Sequence, residues 1–155
     1  MEALGSSRAI EIARLAMDGL SRRQEAVASN TANVMTPNYQ RKEVTFEDQL
    51  QNIIAQEDTK NAIKQANSAA LSYNATSLDQ IQRPSNDQLS LLSKDSFGLY
   101  KPEIISDLSN PNPATGNNVN VEKEMMDMAK AGTQYTILST LEGRMFSGLS
   151  EVIKG

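Results

Sequence analysis

The stretch ASNTANVMTPNYQR, residues 28–41, decides how the chain is organised. Upstream of it, apolar residues recur at Ile10, Ala13, Met17, Leu20, Val27 and Val34, with Ile12, Leu15 and Ala16 beside that row. A spacing near 3.5 residues is that of an amphipathic helix whose apolar stripe needs a partner. Arg8, Glu11, Arg14, Asp18, Arg22 and Glu25 place both signs of charge on the other side, as on a solvated or ion-paired face. Ser6 or Ser7 is placed to cap its start. Counted from there to Val34 the helix spans roughly 40 Å, long for a compact domain of this size. Pro37 stops it. The residue before a proline is pushed out of the helical region, so Thr36 is expected to be extended. Pro37 and Asn38 then suit the centre of a turn, Asn38 tolerating positive φ. Beyond the turn YQRKEVTF has extended character, and Tyr39 is placed to cover the helix end.

The other end of the chain mirrors this pattern. Val121, Met125, Met128, Gly132 and Tyr135 lie on one helical row, which Leu138, Leu141, Met145, Leu149 and Val152 continue after a small phase shift. Asn120 is a good N-cap, and Glu122 and Glu124 in the first turn complement the helix dipole. Two long amphipathic helices, each with a seam the other can cover, pair most simply as a coiled coil, and a plain helical bundle is the alternative. Gly132, Gly143 and Gly148 interrupt the second helix at up to about 1 kcal/mol each relative to alanine. Such glycines suit the close approach of another helix, and Met125, Met126, Met128 and Met145 supply adaptable contacts beside them.

The expected fold is therefore mainly α, with a short irregular or partly helical middle. The division is residues 1–44 as N-terminal helix and turn, 45–116 as middle segment and 117–155 as C-terminal helix. The middle holds nine acidic and five basic residues, so the chain's acidity is concentrated there. Phe46, Leu50, Ile53 and Ile54 define a short helix behind a Thr45 cap, and SNDQLSLLSKDSF reads as another. Between them Asn, Gln and Ser dominate a stretch that is part helical and part disordered. NPNPATGNN, residues 110–118, punctuates as a linker.

Composition narrows the function. There is no Trp, and three Phe and four Tyr supply little of the large-area burial that builds a big core. Apolar surface must then be hidden along helical seams, including seams with other chains. Neither Cys nor His is present, which removes thiolate metal sites, the commonest general base and the strongest common nucleophile. No metal or cofactor site is expected. A net charge of −4 argues against a nucleic-acid partner. No apolar run reaches a membrane span, and the first residues lack the pattern of a cleaved secretory signal. Glu122, Glu124 and Asp127 form the compact acidic cluster outside the middle. A paired-carboxylate glycan hydrolase would need such a cluster, but the helix dipole explains these positions better.

The helix, the Thr-Pro turn with its aromatic residue and the matching terminal helix together resemble the axial proteins of the bacterial flagellum. Asn30, Ala32, Asn33, Thr36, Pro37 and Tyr39 match the family's N-terminal signature, with Asn38 where glycine is usual. GNNVNVEKEMMDMAKAGTQYTILSTLEGRMFSGLSEVIKG is similar to its C-terminal signature. The resemblance covers roughly the first 45 and last 40 residues, and the short middle looks most like a proximal rod member.

That resemblance implies a structural subunit of the rod, polymerising through its terminal helices into the drive shaft, with no catalytic activity. Implied partners are copies of itself, other rod proteins, the rod-base adaptor protein and the flagellar type III export apparatus. The implied location is the periplasmic rod of the basal body, reached without a cleaved signal. Expected seam residues are Ile12, Leu15, Met17, Leu20 and Val27 at one end and Met125, Met128, Tyr135, Leu138, Leu141 and Met145 at the other. Pro37 and Asn38 set the exit of the chain from the core. The alternatives are another axial subunit or a non-flagellar coiled-coil adaptor, which has no need of the turn at 36–39.

Overall fold

The computed structural model describes residues 2–73, 85–93, 95–109 and 111–154. In chain order these form α1 (Glu2–Ala32), β1 (Lys42–Thr45), α2 (Glu47–Tyr73), α3 (Asn86–Ser93), a short 3-10 turn at Phe97–Leu99, β2 (Glu103–Ser106) and α4 (Val121–Lys154). The protein is mainly helical, with long helices at both ends, as its periodicity indicates. Residues up to 48 and from 101 onward make one compact unit, and residues 49–100 a second.

In the first unit α1 and α4 pair antiparallel. Asn30 near the end of α1 bonds Glu124 in the first turn of α4, and a Cβ built on Gly132 would stand 3.8 Å from Gln24. Ala13, Leu15, Ala16, Leu20, Ala26 and Val27 of α1 are buried, whereas Ala131 is the buried apolar residue of α4 among those described. The helix pair thus hides the stripe of α1 well and that of α4 poorly. Ser6 and Ser7, expected at the helix start, lie within α1, which runs from Glu2. Asn120 does cap α4: its Oδ1 accepts from Lys123 N at 3.1 Å.

β1 and β2 form an antiparallel ribbon with Val44 opposite Ile104 and Glu43 opposite Ile105. Val44 and Phe46 are buried, and the Arg23 guanidinium lies 4.8 Å from the centre of the Phe46 ring. That arrangement is a cation–π contact. Thr45, expected as a helix cap, instead ends β1.

In the second unit, α2 runs far beyond the short helix expected at residues 46–54, reaching Tyr73 through the Asn- and Gln-rich stretch. Lys60 is buried and donates to Glu57 at 2.7 Å and to the Ser96 hydroxyl at 2.9 Å. Ser96 in turn donates to Gln56. One polar cluster therefore anchors the loop at 95–100 to α2, although the local sequence is low in apolar residues. Asp95 accepts from the amides of Phe97 and Gly98, and a Cβ on Gly98 would come within 2.5 Å of the Asp95 carboxylate. The expected short helix at 85–97 is present as α3. The rest of the Asn- and Ser-rich stretch, residues 74–84, lies outside the described residues, as do the side chains of Leu149 and Val152.

Candidate functional site

The signature residues meet where α1 ends. Pro37 and Asn38 occupy the centre of a turn closed by Tyr39 N donating to Thr36 O, and Asn38 has φ of +58°. The turn is docked on the loop before α4. Asn38 N donates to Thr115 O at 2.8 Å, and Gly116, with φ of +68°, stands so close that a Cβ there would lie 2.3 Å from Asn38 Oδ1. Asn117 reaches back with a single Nδ2 to the carbonyls of Asn33, Val34 and Thr36, at 2.9, 3.0 and 2.9 Å. Helix ends leave carbonyls without intrahelical partners, and here a residue over 80 positions away satisfies them.

Asn30 is fully buried, and its carboxamide uses both ends. Nδ2 donates to Glu124 Oε2 at 2.9 Å and to Lys42 O at 2.8 Å, while Oδ1 accepts from Lys42 N and from the Tyr39 hydroxyl. Four hydrogen bonds are the full capacity of an asparagine amide. One side chain thereby ties together α1, the turn, β1 and α4. Asn33 acts locally, donating to Ser29 O and accepting from Thr36.

Arg41 completes the junction. Its Nε donates to Glu124 Oε1 at 2.6 Å, one terminal nitrogen to Asp127 at 2.9 Å and the other to Glu43 at 3.0 Å, with Asp107 at 3.7 Å. Burial works against the guanidinium charge, but the hydrogen bonds and charges of Glu124 and Glu43 outweigh it and raise the Arg41 pKa. Asn118 accepts from the Arg41 amide at 2.7 Å and donates to the carbonyls of Asp107 and Ser109. Asp107 itself is held below the ordinary carboxylate range by the hydroxyl and amide of Ser109. Burial would raise Glu47, yet the hydrogen bond from Arg23 and the nearby backbone amides lower it overall.

Arg41, Glu124, Asn117 and Asn118 are the positions that periodicity alone does not pick out. Glu124 in particular is no mere complement to the dipole. Its carboxylate is fully buried as the shared acceptor of Arg41 and Asn30, whereas Glu122 stays exposed. A polar asparagine run flanking both helices was the available signal.

The seam positions fall into two groups. On α1, Leu15, Leu20 and Val27 are buried and Ile12 and Met17 half-buried. On α4, Met128, Leu138 and Met145 are half-buried, while Met125, Tyr135 and Leu141 are exposed, with 66% of the Met125 surface in solvent. Two apolar grooves flank the helix pair. One, of about 290 Å³, is lined by Ala16, Leu20, Phe46, Ile137 and Leu138, and the other, of about 610 Å³, by Val27, Ala28, Thr31, Met125, Met128 and Ala129. A Cβ on Gly143 or Gly148 would meet nothing within 4 Å, so no neighbour in this chain requires glycine there. Among the described residues, no group of three or more carboxylates is arranged to hold a metal, and no helix is long and apolar enough to cross a membrane.

No family model matches the chain. Individual proteins do. It is 29% identical over 145 residues to the flagellar basal body rod protein FlgB of Borrelia hermsii, covering 94% of this chain and 95% of that one. To FlgB of Borreliella burgdorferi it is 24% identical over 147 residues, with 95% and 96% coverage. FlgB of Bacillus subtilis is 28% identical over 134 residues, with 86% and 83% coverage. The similarity runs through the middle segment as well as both terminal helices, so along most of its length the chain is similar to flagellar basal body rod proteins FlgB.

Proposed function

We propose that the chain is a structural subunit of the proximal rod of the flagellar basal body, polymerising through its terminal helices into the shaft that transmits torque. Similarity over 94–95% of this chain to proteins named for that rod carries this reading. Residues 1–44 and 117–155 supply the shaft core, and 45–116 lie between them. The exposed residues of α4, Met125, Tyr135 and Leu141, together with the two flanking grooves, support a mechanical role. They leave apolar area for neighbours after α1 has been covered. Head-to-tail contact of one such surface with a different one generates a helical assembly.

On this reading the neighbours are copies of the chain, other rod proteins and the rod-base adaptor, met in the periplasm after export through the type III apparatus without a cleaved signal. Stiffness comes from many repeated helix contacts, and no catalysis is involved. The non-flagellar adaptor gives no reason for the docked turn at 36–39. The test is a strain lacking the gene, scored for swimming and for the rod in isolated basal bodies by electron microscopy. Loss of both is expected, and complete basal bodies in swimming cells would overturn the proposal.

A further inference from the structure

The two edges of the β1–β2 ribbon are treated differently. In the observed register Asp107 N donates to Arg41 O, so Arg41, Glu43 and Thr45 turn their backbone groups toward β2, and Lys42 and Val44 turn theirs outward. That outer edge of β1 is closed by α1. Asn30 takes both Lys42 N and Lys42 O, and Arg23 takes Val44 O at 2.9 Å. By the same alternation Ile104 and Ser106 present their amides and carbonyls on the outer edge of β2, about 7 Å apart along the strand. No described residue covers them, and all four residues of β2 are exposed.

Sheet edges are normally blunted by charge, proline or a covering element. Here Pro102 bounds one end, but the strand itself carries Ile104 and Ile105, 54% and 39% exposed, and Leu108 just beyond is 72% exposed. Apolar side chains beside free backbone donors and acceptors specify their occupant better than an apolar patch does, because only another extended backbone matches both.

We infer that the outer edge of β2 takes an extended segment of another polypeptide as the third strand of this sheet. Strand addition of this kind draws affinity from main-chain hydrogen bonds and specificity from alternate side chains. The segment is β-branched opposite Ile104 and Ile105 and basic opposite Glu103, which is exposed and makes no ion pair among the described residues. A second copy of the chain is the poorer occupant. With the outer edge of β1 closed, the free strand edge it offers among the described residues is its own β2, and the centred register, Ile104 opposite Ser106, sets Glu103 against Asp107. Like charges directly opposite destabilise a pair.

The test is amide hydrogen exchange by NMR on the full chain, with a blocked synthetic peptide containing Lys-Thr-Val-Val-Lys and a matched peptide with both lysines replaced by glutamate. At saturating lysine peptide, exchange at Ile104 and Ser106 slows by roughly tenfold or more while Lys42 is unchanged. In Glu103→Lys, checked for native circular dichroism, the preference shifts to the glutamate peptide. Unchanged exchange with both peptides would overturn the inference. Protection that rises with protein concentration without any peptide would overturn it in favour of a second copy.

Discussion

Arg41 Nε donates to Glu124 Oε1 across 2.6 Å between residues 83 positions apart, and only 5% and 0% of the two side chains remain exposed. This pair closes the chain on itself, joining the segment after the turn to the first turn of α4. Removing one member of a buried ion pair leaves the other charge without compensation. Arg41→Ala or Glu124→Ala is expected to cost about 3–5 kcal/mol in urea unfolding. Arg41→Ala combined with Glu124→Ala should lose less than the sum of the two single changes, a coupling that a double-mutant cycle reads directly.

Asn38 and Gly116 are coupled by contact rather than charge. In Gly116→Ala the new methyl meets the Asn38 carboxamide and also sits at positive φ, with an expected loss of about 1–3 kcal/mol. Placing Gly116→Ala in an Asn38→Gly background removes the obstacle and leaves only the φ cost, roughly 1–2 kcal/mol. Thermal melts of the two single variants and the double variant separate these contributions.

Asn117→Ala should weaken the end of α1 without touching a charge. Three carbonyls lose their shared donor, and the expected cost is about 1–3 kcal/mol. Hydrogen exchange should rise first in the last turn of α1 and in the turn at 36–39, while the amides near Leu20 stay protected.

Acid should loosen the first unit through two carboxylates. Glu47 and Asp107 both have folded-state values below their ordinary 4.5 and 3.8. Their contribution is therefore complete above those ordinary values and is lost as pH falls through the lowered ones. Glu47→Gln is expected to lower the melting temperature modestly at pH 7, because the ion pair to Arg23 is partly exposed, and to converge with the parent as pH falls below about 4.5, flattening the acid limb by the same amount.

The ends of this fold are legible in sequence because their physics is local. A 3.5-residue apolar period, Pro37, and Asn120 ahead of an acidic first turn are each read within a few residues. Asn38 follows the same logic, since its tolerance of positive φ is a property of the residue itself. The junction is not local. Nothing near Arg41 indicates that Glu124 will be buried beside it, and a glutamate in a first turn has an adequate explanation in the helix dipole. β2 is equally silent, because four residues preceded by proline carry no period. The length of α2 is legible only in part, with KNAIKQANSAALSY at 60–73 allowing a helix without defining one. Its Asn- and Gln-rich half has little apolar stripe to read, and the Lys60–Ser96 contact that anchors a loop to it spans 36 positions.

On the proposed function, surface left over by the α1–α4 pair holds neighbouring subunits. Leu141 is 48% exposed, so Leu141→Asp should leave the fold of the chain unchanged by circular dichroism and thermal melt while placing a carboxylate in the proposed contact. The decisive measurement is electron microscopy of basal bodies from a deletion strain expressing this variant at normal level. A stable, expressed protein and no rod are expected. Complete rods and normal swimming would contradict the proposed function.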